Sequence, residues 1–322
     1  MISIPTIIVD TAIKHFEKEI EEQTKCIQKK LKAFLHGKTR LRKKYIEYLV
    51  KISDQLITMP VNKMDFHRKK LARIISGTTM KTKPFIGFKD SILTCLGYEA
   101  RRRDFYPRYY PYIGIKACIY CNSQLTITSE KTKFIKGIRK TEFKARFQVD
   151  HYWPKSEYPA FCVSLFNLYP ACANCNLSKS ADPVEFNLYE TGTIVKSPYQ
   201  FKLKPGSVSK FILSQNINDI ELEFVSPKTK KGYQSTNETF DIDGIYATQK
   251  DIVAELIMKS KIYTPGYKKN LATEFSKLFK NDPALVDQLI VGNYTLEKDL
   301  HKRPLAKFMI DIAREVNLIA DE

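Results

Sequence analysis

Four of the seven cysteines fall into two Cys-X-X-Cys pairs, Cys118-Ile119-Tyr120-Cys121 and Cys172-Ala173-Asn174-Cys175. Four thiolates in two short-spaced pairs are the donor set of a closed, tetrahedral structural zinc site. Between the pairs stands Asp150-His151, a carboxylate beside an imidazole. A neutral imidazole with a pKa of about 6.5 can take a proton from water at neutral pH, which suits His151 to the work of a general base. Asp150 offers a hard oxygen to a divalent cation, Mg²⁺ by default or Mn²⁺. Each part alone has a plainer explanation, since a single CxxC can be a redox pair and a lone histidine a hydrogen-bonded core residue. The framing of an acid–histidine step by two cysteine pairs favours the metal reading.

The order CxxC, Asp150-His151, Asn167, then CxxC-Asn176 with Lys179 close behind resembles the HNH endonuclease family, whose core is a zinc-stapled ββα-metal unit. The resemblance covers Cys118 to Lys179 and implies a bacterial enzyme that hydrolyses DNA phosphodiesters. Family members built inside larger helical chains often serve in anti-phage defence or on mobile elements. It implies that Cys118, Cys121, Cys172 and Cys175 hold structural zinc, that His151 is the general base, and that Asp150 and Asn176 hold one catalytic cation. It implies too that Asn167 fixes the loop and orients the base. Asn176 stands at the third letter of the family name, where His is the older pattern, and this favours Mg²⁺ over softer metals. Asn176 at that position also reads as an N-terminal helix cap. Lys155 and Lys179 are placed where they could touch the scissile or neighbouring phosphates. Competing classes are a zinc-dependent nucleic-acid-binding module without chemistry and a nuclease subunit silent until a partner such as an ATPase joins it.

Composition agrees with a polyanionic partner, and the family resemblance implies that it is duplex DNA. The 322 residues carry 53 Lys and Arg against 35 Asp and Glu, a net charge of +18, which favours phosphate backbones or anionic membrane surfaces. Membrane attachment is disfavoured, because the apolar start of the chain has no basic flank and stops at Asp10, and the uncharged run from Tyr158 to Ser178 is broken by Pro159 and Pro170. Cys26, Cys95 and Cys162 are left over as free thiols, so a reducing cytoplasm fits better than secretion.

The elements that must position these residues read as an α+β arrangement: a helical region over residues 1–104, the ββα core over 105–190, and a short β segment followed by helices over 191–322. Apolar spacing predicts one long helix over residues 6–37, with Asp10 or Thr11 as its N-cap, and further helices over Leu41–Leu56, Asp65–Ile75 and around Ile92–Leu96. The segment Arg101 to Pro111 reads either as a basic, aromatic arm along a nucleic-acid backbone or as a loop whose rings anchor it to the core. Lys38–Lys44 and Arg68–Arg73 read as solvated helix faces. Strands are expected over Gln124–Thr128, Lys133–Ile138 and Glu142–Val149, with a break at Lys136-Gly137 and a helix opening at Cys172. Residues 193–235 read as strands with turns at Lys204-Pro205-Gly206 and Lys230-Lys231-Gly232, and helices follow from Thr248, bounded by Pro265-Gly266, Asn281-Asp282-Pro283 and Pro304. Asp241-Ile242-Asp243-Gly244 has the look of a calcium loop but lacks its later acids, and reads as a turn.

Overall fold

In the computed structural model of the chain, residues 2–192, 196–279 and 282–320 are described. It is a mixed α+β structure in which helices surround four two-stranded sheets. The N-terminal part runs β1 (Ile4–Pro5), α1 (Thr6–His15), α2 (Glu17–Phe34), α3 (Arg40–Lys51), α4 (Val61–Ile74), α5 (Gly77–Met80), α6 (Lys83–Leu96), α7 (Tyr98–Arg103) and α8 (Phe105–Tyr112). The amphipathic stretch read as one long helix is two, because Phe16 leaves the helical conformation (φ −98°, ψ 15°). Its ring enters an aromatic group with Phe105 and Tyr112, at 5.3 and 5.5 Å between centroids. The helix starts at Thr6 behind Pro5, as the apolar spacing from residue 6 implies, so neither Asp10 nor Thr11 caps it.

The arm expected over Arg101 to Pro111 is instead two short helices built into the core. Tyr106, Tyr109 and Tyr110 are fully buried, Arg101 donates to Gln23 Oε1, and Arg108 is held by Glu19. The anchoring role of the rings therefore describes this segment, and of its arginines only Arg102 and Arg103 are exposed.

The middle of the chain carries β2 (Thr128–Ile135), β3 (Ile138–Ala145), β4 (Gln148–His151), β5 (Leu168–Ala171) and α9 (Ala173–Lys179). β2 and β3 form an antiparallel ribbon turned at Lys136-Gly137, both with positive φ, as a two-residue type I′ turn requires. The expected strand over Gln124–Thr128 is reduced to an isolated bridge between Ala117 and Leu125. The chain also leaves strand geometry between Ala145 and Gln148, so the expected strand over Glu142–Val149 is divided between β3 and β4. β4 pairs antiparallel with β5, Asp150 opposite Tyr169 and His151 opposite Leu168.

Beyond α9 come β6 (Tyr189–Glu190), β7 (Gln200–Leu203), α10 (Ser207–Ser214), β8 (Leu222–Val225), α11 (Thr236–Phe240), α12 (Ile242–Ala247), α13 (Lys250–Ile262), α14 (Pro265–Glu274), α15 (Ser276–Phe279), α16 (Pro283–Val291) and α17 (Ala306–Glu315). β6 pairs parallel with β1, and β7 pairs antiparallel with β8. The region expected as strands thus contains one hairpin with a helix between its strands, and residues 193–195 of that expectation lie outside the described residues. Pro265 and Pro283 open helices, where a missing N–H costs no hydrogen bond, while Asn281 of the second expected boundary lies outside the described residues. Asp241 and its neighbours form the α11–α12 junction, with Asp243 accepting from Phe224 N and Asn237 Nδ2. Among the described residues no helix is long and apolar enough to cross a membrane.

Backbone bonds tie the middle of the chain, on either side of the β4–β5 pair, to segments remote in sequence. Leu165 N donates to Ile57 O (2.8 Å), Ile4 N to Leu188 O (2.6 Å), and Leu305 N to Asn122 O (2.6 Å). These bonds cross both boundaries drawn from the sequence between helical and core regions.

Candidate active site

The two cysteine pairs converge. The four Sγ atoms of Cys118, Cys121, Cys172 and Cys175 lie within 4.8 Å of one another, and no disulfide joins any of the seven cysteines. A zinc–sulfur distance of about 2.3 Å in a tetrahedron puts sulfurs about 3.8 Å apart, so the cluster has the size and donor set to hold a metal ion such as zinc. Polar hydrogens already point at the sulfurs: Cys172 N donates to Cys118 Sγ (3.3 Å), Cys175 N to Cys172 Sγ (3.5 Å) and Ser123 Oγ to Cys121 Sγ (3.2 Å). Such donors favour the thiolate form a metal needs. Cys172 is the N-cap of α9, so the cluster staples the segment before the ribbon to the start of this helix.

Asp150 and His151 end β4, where alternation sends their side chains to opposite faces of the strand. Gln148 and Asp150 share the face over which α9 lies. There Asn176 Nδ2 donates to Gln148 Oε1, and Lys179 Nζ sits 3.1 Å from Asp150 Oδ2. Tyr120, inside the first cysteine pair, donates its hydroxyl to the same Oδ2 at 2.5 Å. Burial raises the Tyr120 pKa far above the ordinary value, with the Asp150 charge adding to it, so this hydroxyl stays a donor. Lys179 is 1% exposed and also donates to His151 O at 3.2 Å. The ammonium expected at a phosphate is therefore an internal counter-ion. Asn176 and Asp150 meet the β4–α9 interface through Gln148 and Lys179 respectively, and the hard oxygens these contacts do not use are the Asn176 carbonyl oxygen and Asp150 Oδ1.

His151 faces the other way, toward Tyr98 of α7, ring centroids 5.1 Å apart. Its Nε2 lies 3.3 Å from the Cys162 carbonyl. A carbonyl can only accept, so Nε2 carries the hydrogen and Nδ1 is left with the lone pair. Burial first, then the positive charge of Lys155, pushes the His151 pKa down to about 3. The Lys155 ammonium stands 4.3 Å from the centre of the Tyr98 ring, so it caps the residue that covers His151.

Asn167, with no exposed surface, closes the connection between the strands. Its Oδ1 accepts from Trp153 N (2.7 Å), and its Nδ2 donates to Trp153 O (3.2 Å) and Phe161 O (3.0 Å). That closure fixes the course of the chain on both sides of the Cys162 carbonyl that holds His151. Sequence reasoning did not single out Tyr120, Tyr98 or Gln148. Tyr120 had a signal in its place between two metal-ligating cysteines, whereas Tyr98 and Gln148 had none, being partners only through the fold. Compared with models of protein families, with curated proteins and with solved structures, the chain matches none.

Proposed function

We propose that the chain is a metal-dependent endonuclease of the HNH type that hydrolyses phosphodiester bonds of DNA, with Cys118, Cys121, Cys172 and Cys175 holding structural zinc. The observation that carries the reading is the setting of His151, whose Nε2 is engaged by a backbone carbonyl and whose Nδ1 is left as the acceptor. It sits one residue from a carboxylate, on a strand followed by a second strand and a helix.

In this reading a water near Nδ1 gives its proton to His151 as its oxygen attacks phosphorus. The bond from phosphorus to O3′ breaks, and the leaving oxygen takes a proton from solvent. A base with a pKa of about 3 is too weak for this at neutral pH. Opening the site to water relieves the burial that is the larger cause of the depression, and an incoming phosphodiester anion offsets the Lys155 charge that is the smaller, both raising the proton affinity of the imidazole. Asp150 and Asn176 would hold a divalent cation, Mg²⁺ or Mn²⁺, which when bound stabilises charge on the phosphate and the departing oxygen. Asn167 keeps the loop, and through it the Cys162 carbonyl, in place.

One observation favours a variant of the reading in which cleavage awaits a partner protein, such as the ATPase class considered from sequence. Asp150 and His151 are each only 5% exposed, and Tyr98 covers the imidazole. A site of this kind opens when DNA or a partner displaces the Tyr98–Lys155 cover. Plasmid cleavage with and without Mg²⁺, alone and with the partner, tests both: cutting that falls at least about a hundredfold in His151→Ala with zinc retained supports the assignment. Cutting by His151→Ala at the wild-type rate, or no cutting by wild type with any divalent cation or partner, refutes it.

A further inference from the structure

The β2–β3 ribbon is two strands of eight residues each, with no third strand beside them among the described residues, about 27 Å long at 3.4 Å per residue. Its two faces differ. Alternation and register place Thr141, Phe143 and Ala145 on one face, half-buried near the base. The other face carries Lys131, Lys133, Lys140 and Lys144 with a single acid, Glu142, all exposed. Glu142 pairs with Lys133 at 2.8 Å, and the other three lysines have no carboxylate partner among the described residues. Lys133 and Lys140 stand directly opposite each other in the register, a like-charge pair that destabilises an isolated ribbon. Two-stranded ribbons are themselves marginal in water; this one is braced at its base by α8, and its lysine face is left open to an anionic partner. Near the turn, Phe134 is 73% and Ile138 71% exposed.

The base of the ribbon opens into a cleft of about 560 Å³ shared with α7, where Arg102, Arg103 and Lys144 outnumber Glu99 and Glu142. Val149 lines the same cleft, and alternation along β4 puts Val149 on the face of His151. A cationic cleft thus lies between the exposed ribbon and the face of β4 that carries His151.

Resting on the nuclease reading, we propose that the β2–β3 ribbon is a duplex-DNA arm: it lies in the major groove with its lysine face on the backbone phosphates, and the cleft beside α7 leads one strand to His151. A B-form major groove, about 12 Å wide, admits a two-stranded ribbon, whereas the deep, narrow major groove of duplex RNA does not. The arm therefore selects DNA by shape.

The test uses the full zinc-loaded chain carrying His151→Ala, which separates binding from cutting, and a fluorescent DNA duplex titrated over a range of salt. Changing Lys131, Lys133, Lys140 and Lys144 together to Gln should lower the slope of log affinity against log salt by up to about 3.6, about 0.9 for each phosphate no longer neutralised. Affinity at physiological salt should fall at least tenfold, with zinc content and circular dichroism unchanged. Wild-type slope and affinity in the lysine variant, while the parent binds DNA and the unmutated chain cuts it, would overturn the arm and leave the nuclease standing. Tighter binding of an RNA duplex than of the matching DNA would also overturn the arm. Absence of DNA binding together with absence of cutting would overturn both.

Discussion

Removing Asp150 should cost the protein its stability before it can report on chemistry. Asp150→Ala leaves the Lys179 ammonium, 1% exposed, with the His151 carbonyl at 3.2 Å as its remaining partner. An uncompensated buried charge destabilises by about 3–5 kcal/mol, a large part of the roughly 5–15 kcal/mol that holds a typical domain. Lys179→Met strands the carboxylate instead, but Tyr120 still donates to it at 2.5 Å, so its cost should lie at the lower end. The pair replaced together, Asp150→Ala with Lys179→Met, leaves no buried charge and forfeits the Tyr120 bond and the Lys179 bond to His151 O, about 1–3 kcal/mol. Urea unfolding of the zinc-loaded chain, with the slope checked for constancy, reads these differences as midpoint shifts. The cycle should give a coupling of about 3 kcal/mol or more. If Mg²⁺ binds at Asp150, a concentration a hundredfold above its dissociation constant should return about 2.7 kcal/mol to Lys179→Met and nothing to Asp150→Ala. An Asp150→Ala protein within about 1 kcal/mol of wild type, or a double variant as unstable as the two singles summed, would refute the buried-pair account.

Metal analysis should find about one zinc per chain, and Cys172→Ser or a chelator should unfold or precipitate the protein, since structural zinc is commonly coupled to folding; a stable metal-free wild type would exclude the site. Stability should fall as pH drops from about 6.5 toward 3, because the unfolded chain protonates His151 while the folded chain, with its pKa of about 3, does not. The effect reaches as much as about 5 kcal/mol. His301, lowered to about 4 by burial, acts in the same direction, so the readout is the difference between wild type and His151→Gln, whose urea midpoint should vary less over that window. Asn167→Ala should cost about 3 kcal/mol by removing three buried bonds and shift the emission of Trp153, the sole tryptophan, to the red; an unmoved spectrum would mean that the loop is held without Asn167.

The parts legible in the sequence are those whose cause is local. Spacing alone identified the four cysteines that converge, and Lys136-Gly137 announced its turn because positive φ is tolerated at glycine. Proline placed the starts of α14 and α16. The segment read as an arm or an anchored loop holds α8 instead, with Pro107 in its first turn and Pro111 near its end. A proline in the first helical turn forfeits no hydrogen bond, and the neighbouring rings secure the segment by burial that no local rule displays. Lys179 reads as basic in any sequence. Its role as a counter-ion depends on α9 crossing β4 at one angle, and the same crossing brings Gln148 to Asn176. Alternation along β4 could have warned that Asp150 and His151 face apart, but it could not have supplied Tyr98 as the cover.

Asn122, one residue past the first cysteine pair, has its partners at the far end of the chain: its carbonyl accepts from Leu305 N, its Oδ1 from Lys307 N, 185 positions away, and its Nδ2 donates to Leu300 O. At ribosomal speeds of 5–20 residues per second, those partners leave the ribosome roughly 10 to 40 s after Asn122 does. Until then the first knuckle of the metal cluster is without its backing, and the strand bearing His151 hangs on an unfinished scaffold. The order of synthesis thereby leaves the cysteine cluster and the strand bearing His151 among the last parts of the fold to be fully braced, and a fragment that stops short of Leu300 lacks that bracing altogether.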